Sequence, residues 1–253
     1  ASRTLDYLLD PQYNHRVDNN AVGITGFSRY GKQAIYAAAF DERFTCVVAR
    51  SSGTPTSCSY RFSGRHTFME SISREDCPEA WLIDDSRVFY GRENELSIEG
   101  NSLLACIAPR YLMLDTAYND GCDPTFGVER NYLSAKKAWA FLGQDNKICL
   151  SYRKGNHDPV TDEQVSFNLD FFDLSFGRQT DNEDKFSEVL IHAFDWNDWK
   201  SKQYPTDLIT PKTKKIRTKI EWMLGQKPIL VKDEGKYHII DKDELPVSNW
   251  SRD

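Results

Sequence analysis

The stretch Gly23-Ile24-Thr25-Gly26-Phe27-Ser28-Arg29-Tyr30-Gly31-Lys32 decides the fold, because it can be parsed as two unrelated devices. From Gly26 to Lys32 it satisfies G-x-x-x-x-G-K, the loop that cradles nucleotide phosphates, and that loop needs a Ser or Thr next to hold magnesium. The next residue is Gln33, whose amide replaces the hydroxyl poorly. The same residues approach G-x-S-x-G, the strained strand-to-helix turn that lifts a nucleophilic serine out of a sheet. Gly26-Phe27-Ser28 fits that pattern, but the closing glycine comes one residue late, at Gly31.

The surroundings arbitrate. Before the stretch, residues 1 to 9 read as an amphipathic helix with no basic segment and apolar stretch ahead of it, so no secretory leader is legible there. Ala21 to Thr25 is a short apolar run of strand type, and Lys32 to Phe40 is rich in alanine and other good helix formers, which places Ser28 at a strand-to-helix junction. Further strands are expected at Thr45 to Ala49, Tyr111 to Asp115 and Lys147 to Tyr152. Helices are expected at Val128 to Leu142 and from Glu163 to about Phe176. Tyr60 to Asn101 is irregular and charged, and reads as a long excursion over the surface or an active-site wall. Strands alternating with helices imply an α/β fold with a mainly parallel sheet flanked by helices, and in such sheets chemistry gathers beyond the carboxyl ends of the strands.

Composition bounds the rest. A chain of 253 residues, 40% hydrophobic and 13% aromatic, has material for one large core and a small second unit. A net charge of −6 gives no general affinity for nucleic acid or for an anionic membrane. No apolar run approaches the roughly 20 residues that span a bilayer. The six cysteines (Cys46, Cys58, Cys77, Cys106, Cys122 and Cys149) lack C-x-x-C spacing, which argues against structural zinc and favours buried thiols over disulfides. Composition shifts after Gly177. Residues 1–178 are expected to form the α/β domain, and 179–253 a charged C-terminal extension or linker with a hairpin-like stretch from Ile229 to Ile240.

The phosphate reading gains one further support, the apolar strand ending at Asp115, but such strands are common in parallel sheets. The hydrolase reading makes the harder demand. An acid and a histidine must follow the serine, in that order, each after a later strand. Asp120, within Asn119-Asp120-Gly121-Cys122-Asp123-Pro124, follows the third strand, and His157, within Gly155-Asn156-His157-Asp158, follows the fourth. His15, His66, His192 and His238 lack such contexts and read as structural. A serine is a poor nucleophile until a positioned imidazole takes its proton, and a carboxylate behind the imidazole fixes its tautomer. The backbone N–H of Arg29, at a helix start, is where an oxyanion would be received. This chemistry requires neither metal nor cofactor.

At these residues the chain resembles the glucuronoyl esterases, carbohydrate esterase family fifteen, whose elbow reads G-x-S-R-x-G-K. Gly26 to Lys32 matches it fully, and the similarity continues through Ala39 to Phe44, Trp81, Leu104 to Arg110 and Gly155 to Asp158. The resemblance implies an α/β-hydrolase fold and cleavage of the ester between 4-O-methyl-glucuronic acid of xylan and alcohols of lignin. It implies Ser28 as nucleophile, His157 as base, the Arg29 guanidinium at the oxyanion, Lys32 and Trp81 as substrate-binding residues, and a secreted or periplasmic location. In many members a glutamate just after the strand that follows the elbow helix supplies the acid, and Ser51 stands at that spacing here. Other members place the acid after the next strand, where Asp120 and Asp123 stand. Asp120 is preferred, because Asp123 precedes Pro124 and suits capping of the following turn. Gly121-Cys122 replaces a tryptophan often found in that loop. The family fold also places several strands before the opening helix, so a companion N-terminal polypeptide completing the sheet is expected. The alternative expectation is a non-catalytic hydrolase-fold subunit of a larger assembly.

Overall fold

A computed structural model describes residues 1–13, 16–62, 89, 92–157, 161–178, 186, 190–192, 229–233 and 236–240. Trp81, Cys77, His15, His66 and Asp158 lie outside the described residues, as does most of the stretch from 179 onward.

The chain opens with α1 (Ser2–Leu9), whose Leu5 is its one buried residue. Strand β1 (Gly23–Phe27) leads through Ser28 into α2 (Arg29–Phe40), followed by β2 (Cys46–Arg50). Then come α3 (Gly100–Ala105), β3 (Tyr111–Ala117), α4 (Thr125–Phe141), β4 (Ile148–Arg153) and α5 (Asp162–Ser175). The expected alternation is present, with two differences. Strand β1 is displaced two residues toward Ser28, because Phe27 still pairs with Arg50 at the end of the ladder. Helix α3 starts at the end of the stretch read as irregular and runs past it, where Leu104 supplies a fully buried anchor that no periodic pattern announced.

The four strands run parallel in the order β1-β2-β3-β4. Alternation along each strand sends neighbouring side chains to opposite faces. Val47, Ala49, Leu112, Leu114, Ile148 and Leu150 join Ile35, Ala38, Leu104, Tyr132 and Trp139 in the larger core. Cys46, Val48, Met113 and Cys149 meet Phe171 of α5 on the other face. Burial on both faces is why the strands read as continuous apolar runs. At roughly 25 cal/mol per Å² of apolar surface removed from water, these layers provide most of the drive to fold. Arg110 ties the amino end of the sheet together, its guanidinium donating to the carbonyls of Ala38, Asp41, Phe44 and Cys106. The flat fork of an arginine suits that convergence of carbonyls.

Strand β1 is the edge of the described sheet, and beside it a groove of about 400 Å³ runs between α1 and α2. Its lining includes Thr25 and Tyr30, on either side of the Ser28 turn, and its titratable lining groups are the N-terminus and Tyr30. Strands β5 (Ile229–Asp233) and β6 (Lys236–Ile240) pair antiparallel as a separate two-stranded sheet, the hairpin that the sequence suggested. Residues 190–192 pack on the α/β domain. The Glu129 carboxylate, fully buried in α4, accepts the N–H groups of Ile191 and His192 at 2.6 and 3.1 Å and the Tyr152 hydroxyl at 2.8 Å. No helix among the described residues is long and apolar enough to cross a membrane. Cys46, Cys58 and Cys149 are buried thiols, as the sequence suggested, whereas Cys106 is exposed and Cys122 half-buried.

Candidate active site

The elbow forms because two glycines let backbones touch. A Cβ on Gly26 would lie 2.2 Å from the Tyr30 carbonyl carbon and oxygen, so only glycine lets β1 turn this sharply into α2. A Cβ on Gly31 would lie 2.8 Å from the Ser52 Cβ and 3.0 Å from the Arg50 carbonyl oxygen. The late glycine therefore serves packing of α2 against the end of β2. At the apex Ser28 takes φ 58° and ψ −121°, a conformation that side-chain-bearing residues rarely adopt. Its N–H donates to the Arg50 carbonyl at 2.9 Å, which pins the turn to the sheet.

Three loops converge there. The Ser28 hydroxyl lies 2.9 Å from His157 Nε2, and His157 Nδ1 lies 3.0 and 3.1 Å from the two carboxylate oxygens of Asp120. This order assigns the imidazole proton to Nδ1, donated to Asp120, and leaves Nε2 to accept from Ser28. The Phe27 ring stands 4.9 Å from the imidazole and braces it. Asp120 is 2% exposed. Burial pushes its carboxyl up, but the hydrogen bond from His157, the His157 charge and the Cys122 amide help to outweigh that and hold it below the usual carboxylate range. Its Oδ1 accepts the Cys122 N–H at 2.9 Å and the Asp123 N–H at 3.2 Å.

Asp123 faces the other way. Its Oδ1 accepts the Ser57 hydroxyl at 2.5 Å and the Gly53 N–H at 3.2 Å, while Oδ2 is buried with no hydrogen-bond partner among the described residues. Burial, and next the Asp120 charge, push its carboxyl up to about 7. Asp123 thus anchors the loop after β2, whereas Pro124 holds the N-cap position of α4. Lys32, half-buried, donates its ammonium to the Ser52 carbonyl, so its charge lies toward Asp123 instead of in a phosphate-wrapping loop. Arg29 is exposed at the amino end of α2. Asp115, the residue that had suggested a magnesium strand, is buried against Arg153 at 3.7 Å and Gln164 at 3.3 Å, and burial raises it to about 6.

Asp120, Cys122 and His157 present ligand atoms within 4.8 Å of one another, a spacing that a metal ion could accept. Both His157 nitrogens are, however, engaged by Asp120 and Ser28. Sequence reasoning passed over Arg153, whose guanidinium is buried beneath the triad; a charged residue beside Lys154 at a strand end gives no signal that it points inward.

A family model described as "Glucuronyl esterase, fungi" matches residues 1–143. The chain belongs to the glucuronyl esterases. It is 28% identical over 174 residues to the carbohydrate esterase MZ0003 of an unknown prokaryotic organism, covering 62% of this chain and 39% of that protein. To a 4-O-methyl-glucuronoyl methylesterase of Hypocrea jecorina it is 27% identical over 207 residues, 78% of this chain and 44% of the relative. The glucuronoyl esterase structure from Caldicellulosiruptor kristjansonii superposes with a TM-score of 0.67 at 30% identity, over 77% of this chain and 52% of that one. The fold is that of the α/β-hydrolases of carbohydrate esterase family fifteen, and the chain spans about half the length, or less, of these relatives. The parallel sheet with its helices on both faces is the part of the fold that the chain carries.

Proposed function

We propose that this chain carries the reacting residues of a serine esterase that hydrolyses esters of uronic acids, 4-O-methyl-glucuronoyl esters in particular. The observation that carries the reading is the continuous hydrogen-bonded line Ser28–His157–Asp120, at 2.9 and 3.0 Å. Its substrate class rests on the relatives named as 4-O-methyl-glucuronoyl methylesterases.

In this mechanism Ser28 Oγ attacks the ester carbonyl while His157 Nε2 takes its proton. Asp120 stabilises the imidazolium that forms and does not itself become protonated. The oxyanion is received at the amino end of α2, by the Arg29 N–H and guanidinium. His157 returns the proton to the departing alcohol, and water then repeats the sequence on the acyl-enzyme. Lys32 would donate to sugar hydroxyls, an ammonium having three N–H donors. Trp81 would line the sugar site. A segment from a companion polypeptide would pair with the β1 edge, for which the open strand and the adjacent groove are the support.

A fluorophosphonate probe tests the proposal. Labelling at Ser28 that disappears in Ser28→Ala supports the esterase, and absence of labelling favours the alternative, a non-catalytic hydrolase-fold subunit. Hydrolysis of a benzyl glucuronate ester but not of an acetyl ester would assign the substrate class. Native mass spectrometry that finds this chain folded and alone would argue against the companion.

A further inference from the structure

Among the described residues, Asp120, Cys122 and His157 form the one group of three His, Cys, Asp or Glu side chains whose ligand atoms could share an ion, all within 4.8 Å of one another. The turn after β3 brings two of them together. Asp120 Oδ1 accepts the Cys122 N–H at 2.9 Å, which folds the chain back so that the thiol two residues on returns to the carboxylate. His157 Nδ1 arrives from the loop after β4, 3.0 Å from the same oxygen. Asp120 is 2% exposed, whereas the His157 side chain is 28% exposed and Cys122 is half-buried, so the carboxylate is the floor and the nitrogen and sulfur ligands lie on the solvent side.

Ligand type selects the ion. Thiolate, imidazole and carboxylate together suit Zn²⁺ and other thiophilic cations, while Mg²⁺ and Ca²⁺ want oxygen alone. Bonds of about 2.0 to 2.3 Å set tetrahedral ligand atoms about 3.3 to 3.8 Å apart, so closing from 4.8 Å takes about 1 Å of movement, which a cysteine on a turn can supply. We propose that Asp120, Cys122 and His157 are an inhibitory site for a thiophilic divalent cation such as Zn²⁺, whose binding and the working triad exclude each other. The effect on turnover rests on the esterase reading above; the binding does not.

Exclusion follows from the single proton of a neutral imidazole. In the triad that proton is on Nδ1, donated to Asp120, and Nε2 accepts from Ser28. An ion seated between Asp120 and His157 takes the Nδ1 lone pair, and the proton moves to Nε2, where it faces the Ser28 hydroxyl 2.9 Å away. The serine proton then has no acceptor in line. The Cys122 thiol releases its proton to solvent on becoming a ligand, and the two anionic ligands offset the charge of the ion. No electron changes hands and no bond of the chain breaks, so a chelator restores the triad.

The experiment uses the full chain stripped with a chelator, with Cd²⁺ as spectroscopic probe, Zn²⁺ as inhibitor and Mg²⁺ as control. Expected is a thiolate-to-Cd²⁺ ultraviolet band that saturates at one ion per chain, vanishes in Cys122→Ala and persists in Cys106→Ala, whose thiol is exposed. His157→Gln should keep the band and weaken Cd²⁺ binding by about tenfold or more. Zn²⁺, and not Mg²⁺, should slow fluorophosphonate labelling of Ser28 by about tenfold or more, and Cys122→Ala should label normally without metal but need about ten times more Zn²⁺ for the same slowing. In the wild type Zn²⁺ should also protect Cys122 from iodoacetamide, read by peptide mass spectrometry, a measurement that requires no variant to fold. A chain that shows the band and the protection but is never labelled would sink the esterase reading and leave the site standing. A band or a Zn²⁺ response equal in wild type and Cys122→Ala, or Cys122 alkylated equally with and without Zn²⁺, would overturn the site.

Discussion

Replacing Asp120 by asparagine separates geometry from charge at the point where the triad depends on both. Asp120 Oδ1 accepts two backbone N–H groups, from Cys122 at 2.9 Å and Asp123 at 3.2 Å. An asparagine would keep its oxygen there and turn its NH2 toward His157 Nδ1, which Oδ2 now faces at 3.1 Å. Two N–H groups cannot meet, so the imidazole would carry its proton on Nε2, opposite the Ser28 hydroxyl at 2.9 Å. Nothing would then accept the serine proton. The same tautomer fault in a serine protease costs about 10⁴ in kcat, or about 5 kcal/mol at 1.36 kcal/mol per factor of ten. Steady-state hydrolysis of a benzyl glucuronate ester should show a loss of that order with KM little changed, together with slower fluorophosphonate labelling. A loss below about tenfold in a protein that melts normally, or an equal loss in Asp123→Asn, would refute the assignment of Asp120.

Three further outcomes follow from packing and charge. Asp123 has a raised folded pKa, about 7, so the folded state holds its proton more tightly than the unfolded chain does. Its cost to stability therefore appears as pH rises from about 4 toward 7, and Asp123→Asn should gain on wild type between pH 5 and pH 8 by on the order of 2 kcal/mol, read from paired melting curves; a pH-independent difference would count against it. Gly26→Ala should abolish folding or lose about 3 kcal/mol or more, because its Cβ meets the Tyr30 backbone at 2.2 Å, whereas Tyr30→Ala, at a residue 73% exposed, should melt within about 0.5 kcal/mol of wild type. Glu129→Ala removes the carboxylate 3.2 Å from the buried Arg130 and should cost about 3–5 kcal/mol while exposing the chain near Ile191 to limited proteolysis; normal melting and unchanged cleavage would refute that account.

Much of this was legible because the sheet is buried on both faces. Val47 to Ala49 and Leu112 to Leu114 could only be core strands, and the order of Ser28, Asp120 and His157 along them is a constraint that a single sequence reveals. Gly31 looked misplaced because the motif counts residues, while its cause, contact with Ser52 and Arg50, is between elements. The same limit hid Arg153 and Ser51, residues 102 positions apart whose hydrogen bond no local pattern encodes. Asp123 and Asp120 were separable only by direction, since both follow β3 and only one turns toward the imidazole. Helix α3 escaped because at six residues it is too short to display a period.

The ladder has a geometric consequence. Phe27 pairs with Arg50, Arg50 with Asp115 and Asp115 with Ser151, so the strands end nearly level and Ser28, Ser51 and the later loops leave from one line. A slip of one residue in any pairing would displace a loop by about 3.3 Å, more than the reach of a hydrogen bond, and invert every side chain beyond it. The hydrophobic faces forbid that slip. Residues 63–91 fall between β2 and β3 in the sequence, downstream of Ser51 and upstream of the loop that carries Asp120. The register of the pleat therefore holds the spacing of Ser28, Asp120 and His157 whatever the length of the connections between strands.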